Sequence, residues 1–154
     1  MKLKNSLIAF ILLFTAGISC AQSFYVFRHK DLNFGDVFIG YSKNIRHFDN
    51  GAAKFSLYHT FRGRREILVT FNLPKTLSNG KAFLPITFNR RNAAWSFRDR
   101  KRNRRRFNPN YPLEIRRVRK NKKIFIWLGG KIKTNNNLPP GNYNGTITLT
   151  VEFL

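Results

Sequence analysis

The residues with the clearest chemical potential are the basic side chains between positions 98 and 106, in the run Arg98-Asp-Arg-Lys-Arg-Asn-Arg-Arg-Arg106. Guanidinium and ammonium groups at this density attract polyanions through long-range Coulomb attraction and counterion release. Aromatic residues lie beside the run, and rings next to cations are typical of surfaces that stack on bases or sugars. They are Trp95, Phe97 and Phe107. The run predicts a polyanion-binding loop whose cationic residues are Arg98, Arg100, Lys101, Arg102, Arg104, Arg105 and Arg106.

A second interpretation of the same run is a solvated hairpin extension, in which like charges keep the chain extended and bind nothing. Further basic residues follow at Arg116, Arg117, Arg119, Lys120, Lys122 and Lys123. If residues 111–118 pair with residues 123–133 as a hairpin, these side chains and the 98–106 loop form one surface. Alternatively, they keep an edge strand soluble, because basic residues on an edge discourage strand association.

The residue types needed for catalysis or metal binding are present but scattered. His29, His47 and His59 show no metal-ligand spacing, and the single cysteine, Cys20, lies in the N-terminal segment. The four Asp and three Glu residues are too far apart in sequence to nominate a catalytic pair. His59 falls on the apolar side of an alternating stretch, which favours a core histidine over a functional one. We therefore assign no catalytic, cofactor-binding or metal-binding residue and expect a protein that is not an enzyme and needs no cofactor.

The N-terminal residues are typical of a secretory signal peptide. Lys2 and Lys4 precede a short apolar core at residues 7–14, and small residues follow up to Ala21. We predict cleavage after Ala21. One alternative is lipidation at Cys20, although Gly17 stands where a lipobox has an aliphatic residue, and another is a structural first helix. The predicted locations are the secreted fraction, the periplasm or the cell surface.

Cleavage after Ala21 leaves residues 22–154 as a single domain with a basic insertion around residues 90–123. The formal charge of +22 becomes +20 when Lys2 and Lys4 are removed. No cysteine remains, so packing without disulfides must stabilise the fold in a compartment where disulfides are allowed.

Alternating apolar and polar residues predict strands along most of this domain. The clearest stretch is residues 146–153, where Ile147, Leu149, Val151 and Phe153 share one face. Residues 53–61 and 66–72 are predicted to form a hairpin, and Pro85 indicates an edge strand or a bulge. Gly129-Gly130 indicates a bulge or the close approach of another backbone. No convincing amphipathic helix is present, so we predict an all-β, immunoglobulin-like antiparallel β-sandwich of about seven strands.

Several segments resemble a family of exported bacterial domains of unknown function that is grouped with pilin-like and fimbrial-subunit sandwiches. They are Leu32-Asn-Phe-Gly35, Phe71-Asn-Leu-Pro-Lys-Thr-Leu-Ser-Asn-Gly80, Ile126-Trp-Leu-Gly-Gly130 and Pro140-Gly-Asn-Tyr-Asn-Gly-Thr-Ile-Thr-Leu-Thr-Val151. The family's usual members are not strongly basic, and the segment before Leu32 is short. In chaperone-assembled pili an N-terminal extension completes a neighbouring sandwich, and Phe24 and Val26 offer only a small strand for that purpose.

Together, these observations predict a secreted, non-enzymatic, pilin-like or surface-associated structural or adhesive protein. Its expected partners are copies of itself or an envelope protein, bound through sheet edges, and an anionic polymer. The alternative is a free polyanion-binding module for nucleic acid, lipopolysaccharide or acidic polysaccharide. No transmembrane segment is expected in the mature chain.

Overall fold

The alternating segments fold into strands within residues 24–154, which are the residues that this computed structural model describes. The predicted signal peptide, its cleavage after Ala21 and the alternative lipidation at Cys20 lie outside those residues. Within them the chain forms twelve strands and no helix. The strands are β1 Phe24–Lys30, β2 Ser42–Ile45, β3 Ala53–His59, β4 Arg64–Asn72, β5 Thr76–Ser78, β6 Phe83–Thr87, β7 Ala93–Ser96, β8 Arg105–Arg106, β9 Leu113–Arg119, β10 Ile124–Leu128, β11 Gly130–Lys133 and β12 Thr148–Phe153.

Three antiparallel sheets contain these strands. The five-stranded sheet has the order β1-β3-β10-β7-β8, the four-stranded sheet β2-β11-β6-β5 and the three-stranded sheet β12-β4-β9. Only Gly129 separates β10 from β11, so the five-stranded and four-stranded sheets are joined end to end. The predicted basic insertion at residues 90–123 supplies β7, β8 and β9 and is therefore part of these sheets.

The inward side chains of all three sheets meet in one apolar core. Leu57 and Ile126 come from the five-stranded sheet, and Ile67 and Val69 come from the three-stranded sheet, all fully buried. Each such side chain contributes about 1.5–3 kcal/mol through removal from water. The all-β sandwich predicted from the sequence is confirmed, although residues 24–154 form twelve strands where about seven were expected. The immunoglobulin-like topology stays a prediction.

The predicted hairpin of residues 53–61 and 66–72 is wrong. Strand β3 pairs with β1 and β10, whereas β4 pairs with β12 and β9 in another sheet. Phe55 of β3 and Phe71 of β4 instead face each other through the core, with ring centroids 6.5 Å apart. Likewise β9 and β10 belong to different sheets, so residues 111–118 and 123–133 do not form a hairpin. Each of these four strands has a row of buried apolar side chains on one face, and these rows belong to the same core.

The close approach predicted at Gly129 is confirmed. A Cβ atom at this position would lie 2.0 Å from the carbonyl oxygen of Ile45. The Gly129 amide donates a hydrogen bond of 2.8 Å to the carbonyl of Asn92. The fully buried Asn92 donates a hydrogen bond of 2.7 Å from Nδ2 to the Ile45 carbonyl. This bond holds the Ile45 backbone beside those of Asn92 and Gly129. Only glycine fits at this joint between the two sheets.

Strand β6 lies inside its sheet, so the prediction of an edge strand at Pro85 is wrong. Pro85 pairs with Thr76 of β5 on one side. On the other side, the pairing with β11 begins only at Ile86. Proline is tolerated here because Pro85 is not among the residues that pair with β11, so its missing N–H removes no hydrogen bond of that pairing.

Strand β12 has the alternation predicted for residues 146–153, although it begins at Thr148. Leu149, Val151 and Phe153 are half-buried, whereas the residues between them are exposed. Burial is incomplete because β12 is an edge strand whose neighbour is β4.

Candidate anion-binding surfaces

Residues 97–104 form a loop that folds back over the outer face of the five-stranded sheet. The following strand, β8, pairs with Ala94 and Trp95 of β7. Asp99 forms an ion pair of 2.6 Å with Lys54 of β3. The Arg104 guanidinium lies over the Trp127 ring, 3.5 Å from its centroid. The loop is therefore attached to the sheet by two of its own charged side chains.

Arg104 differs from the other cationic residues of the loop. It is half-buried, and it donates hydrogen bonds to the carbonyls of His47, over 2.6 Å, and Arg100, over 2.8 Å. Burial lowers the pKa of Arg104 from its ordinary value, and the Asp99 carboxylate opposes that change. Arg104 thus holds the loop in place, and its predicted contact with an anion stays a prediction.

The remaining predicted anion contacts all lie exposed on the loop or on β8: Arg98, Arg100, Lys101, Arg102, Arg105 and Arg106. The aromatic residues beside them are not available for stacking, contrary to expectation. Trp95 and Phe107 are 7% and 8% exposed and belong to the core. Phe97 is half-buried and packs edge-on against Trp95, with the ring centroids 5.2 Å apart. This loop can therefore attract an anion through its charge but not through ring stacking.

A cavity of about 290 Å³ lies beneath the loop. Its walls include basic side chains of Lys54 and Arg104 together with the carboxylates of Asp49 and Asp99. The buried His47 also lines this cavity. Burial, followed by the nearby positive charges of Arg104 and Arg106, lowers the pKa of His47, while Asp49 raises it. Because charges of both signs line the cavity, the exposed outer side of the loop is more favourable for anions.

A second group of cations gathers at one end of the sandwich, where β4 begins and β9 ends. Arg64 lies directly opposite Arg119 in the strand pairing. The Asn121 amide donates a 2.8 Å hydrogen bond to the His59 carbonyl, which brings the turn after β9 next to the loop before β4. We call this group the basic end. It consists of Arg62, Arg64, Arg65, Arg119, Lys120, Lys122 and Lys123, all exposed.

Sequence reasoning found only part of the basic end. The sequence places the cations from Arg116 to Lys123 on one surface with the 98–106 loop only if a hairpin forms, and that hairpin does not form. A second short basic segment in the sequence, formed by Arg62, Arg64 and Arg65, is the signal that could have revealed the rest of the basic end. Their proximity to Arg119 depends on the pairing of β4 with β9, which the sequence pattern does not reveal.

An open cleft of about 960 Å³ lies between the segment that follows β1 and the segment that precedes β12. Leu32, Phe34 and Val37 line one side, and Leu138 and Ile147 line the other. These side chains are half-buried. The cleft is an opening with both apolar and polar walls, on the side of the sandwich where β1 and β12 form the edges.

Residues 24–154 contain no group of three or more His, Cys, Asp or Glu side chains placed to hold a metal ion. The same part of the chain has no helix long and apolar enough to cross a membrane. His59 is fully buried, as its position on the apolar face predicts, with Nε2 3.1 Å from the Val118 carbonyl oxygen.

Comparisons with protein-family models, curated proteins and solved structures found no match to this chain. The resemblance to pilin-like domains stays a prediction.

Proposed function

We propose that this chain is an exported, non-enzymatic structural or adhesive protein of the cell envelope or cell surface. In this proposal the sandwich is pilin-like and associates through its sheet edges, while its exposed cations attach it to anionic material. The observation that carries the proposal is the edge strand β12, which has one neighbouring strand and a row of half-buried apolar side chains. Such an edge presents unpaired N–H and C=O groups to an incoming strand.

Two unprotected edges on the same side of the sandwich support this assembly. Strand β1 pairs with β3 alone, and β12 pairs with β4 alone. The rings of Phe24 and Phe153 stack across the gap between these edges, with centroids 4.0 Å apart. The open cleft continues this gap beyond the end of β1. A second copy or an envelope protein that adds a strand to β12 would cover Leu149, Val151 and the cleft at once.

The N-terminal strand is used within the chain's own sheet. Phe24 and Val26, the residues that offered a small donor strand, pair with His59 and Leu57 of β3. The proposed assembly therefore uses the β12 edge of the folded sandwich, and the chain's own β1 stays in place.

The direction of the backbone amides in β12 allows a test of strand addition at its free edge. The Leu154 amide donates to the Glu66 carbonyl of β4. Because hydrogen-bonded and non-hydrogen-bonded pairs alternate in an antiparallel ladder, the amide of Val151 points away from β4, toward the free edge. Val151→Pro removes that donor while keeping an apolar side chain and the bonds to β4. Val151→Ala keeps the donor and removes side-chain volume, so it serves as the control.

Size-exclusion chromatography at high salt measures the result. We expect the wild-type chain and Val151→Ala to self-associate, and Val151→Pro to elute as a monomer with an unchanged circular dichroism spectrum. A wild-type chain that is monomeric at every protein concentration would contradict assembly through this edge, as would undiminished association of Val151→Pro.

A free polyanion-binding module is the alternative function. The observation that favours it is the excess of exposed cations over carboxylates: three ion pairs form within residues 24–154, at Arg28–Asp31, Lys54–Asp99 and Arg116–Glu114. Most arginines and lysines therefore have no carboxylate within salt-bridge distance. Monomers that bind heparin or nucleic acid only at low salt would favour this function over the structural one.

A further inference from the structure

We propose that the basic end is the surface through which the protein contacts an anionic membrane, with lipid phosphates as its ligands. This inference rests on the attachment to anionic material proposed above and specifies its surface and partner. The basic end, rather than the 98–106 loop, then makes the larger contribution to binding.

The first argument is the density of charge in one place. The loop from Arg62 to Arg65 and the turn from Arg119 to Lys123 contribute seven cations, and none of them forms an ion pair within residues 24–154. The amide of Asn121 binds the His59 carbonyl, and the amide of Lys122 binds the Arg119 carbonyl over 3.0 Å. The two segments are therefore held together by the backbone before any ligand is present.

The second argument is that this arrangement is unfavourable without an anion. Arg64 and Arg119 are directly opposed across the strands, where like charges destabilise a sheet. Beside them the pairing of β4 with β9 shifts register, and Arg117 adopts a φ of 57°, a left-handed conformation that favours glycine. Unfavourable local features of this kind are concentrated at functional sites. A phosphate between the two arginines would replace repulsion with two attractions.

The nearby acidic residues define the limit of the surface. Glu114 is paired with Arg116, and the outward-pointing residues Leu68, Glu114 and Glu152 occupy the middle of the three-stranded sheet. That sheet face is mixed in charge. The cations lie beyond Glu66, at the basic end of the sandwich. The membrane would therefore contact the loop before β4 and the turn after β9, and not the face of the three-stranded sheet.

Two observations favour a membrane over a nucleic acid. The two cavities described above are lined by none of the seven residues. The neighbouring rings of the basic end are already covered, since Arg65 lies over Phe61 and Lys122 over Phe97.

The test compares two variants that lose the same charge. The exported chain is mixed with vesicles made of equal parts phosphatidylcholine and phosphatidylglycerol, and binding is measured by co-sedimentation. The basic-end variant carries Arg64→Gln, Lys120→Gln and Lys122→Gln. The loop variant carries Arg100→Gln, Lys101→Gln and Arg102→Gln. All six side chains are exposed, and thermal unfolding verifies that both variants fold.

Each basic residue at an anionic surface strengthens binding by about fivefold, so the basic-end variant should bind these vesicles about 100-fold more weakly. The loop variant should lose less than about tenfold, and pure phosphatidylcholine vesicles should bind neither. Equal losses in the two variants would overturn the inference, because net charge alone would then explain binding. Tighter binding of single-stranded DNA than of vesicles, lost in the same variant, would also overturn it in favour of a nucleic-acid partner.

The outcome for the proposed function can be separated from this one. If the wild-type chain does not bind vesicles that contain phosphatidylglycerol but still self-associates at high salt, the membrane inference fails and the structural function stands. If vesicles bind through the basic end but Val151→Pro changes nothing in the assembly state, the edge proposal fails and the membrane inference stands.

Discussion

Arg104 lies over Trp127 with its guanidinium carbon 3.5 Å from the ring centroid, and the same side chain donates a hydrogen bond to the His47 carbonyl. This pair determines how the basic loop sits on the five-stranded sheet. The most basic stretch of the sequence therefore contains a half-buried cation that stabilises the protein itself, among others that are exposed to solvent.

Replacing Arg104 should destabilise the fold. Arg104→Ala removes a cation–π contact and two charge-assisted hydrogen bonds, so we expect the free energy of unfolding to fall by about 2–3 kcal/mol. Arg102→Ala removes an exposed neighbour of equal charge and should change it by less than about 0.5 kcal/mol. Urea unfolding measures both values. Equal stabilities of the two variants would show that the contact with Trp127 contributes nothing.

Gly129→Ala should prevent normal folding. Its Cβ would lie 2.0 Å from the Ile45 carbonyl oxygen, so the joint between β10 and β11 would have to move apart. We expect a loss of at least about 3 kcal/mol or no soluble protein. The control is Gly63→Ala, where φ is 87° and no heavy atom lies within 4 Å of the added Cβ. That change should cost only about 1–2 kcal/mol for the left-handed backbone, and a similar loss in both variants would contradict the close approach.

Arg117→Gly should raise the free energy of unfolding by about 1 kcal/mol, because glycine adopts the left-handed conformation at φ 57° without strain. Asn121→Gly changes another left-handed residue, with φ 58°, and should give a smaller gain, since asparagine tolerates this region. Thermal unfolding at low salt compares the two. A lower melting temperature for Arg117→Gly would mean that its side chain makes a stabilising contact.

Acidification should destabilise the protein through His47. Burial and the charges of Arg104 and Arg106 hold the pKa of folded His47 below its ordinary value of 6.5. The unfolded chain binds the proton first as the pH falls, so the free energy of unfolding decreases below about pH 6.5 until the folded pKa is reached. His47→Gln should flatten this part of the profile.

The pKa of His47 can be followed directly by NMR titration of its imidazole resonances. Arg106→Gln removes one of the positive charges that lower this pKa and should raise it. A folded His47 that titrates above 6.5, or a pKa unchanged in Arg106→Gln, would contradict the electrostatic explanation.

Several local features were predictable from the sequence because their physical cause is local. Strand alternation in residues 148–153 places Leu149, Val151 and Phe153 on one face whatever the neighbouring strand is. The pair of glycines at 129–130 indicated a close backbone contact, and the apolar position of His59 indicated burial. The exposure of the arginine loop followed from the cost of burying unpaired charge, although the attachment of Arg104 did not.

The choice of partner for each strand was decided only by the tertiary structure. An alternating pattern specifies which face of a strand is buried, but it contains no information about which strand lies alongside. Residues 53–61 and 66–72 were therefore read as a hairpin, whereas β3 and β4 pack across the core. For the same reason the sequence predicted a β-sandwich with an exposed basic loop, while the basic end, with Arg64 beside Arg119, exists only because β4 pairs with β9.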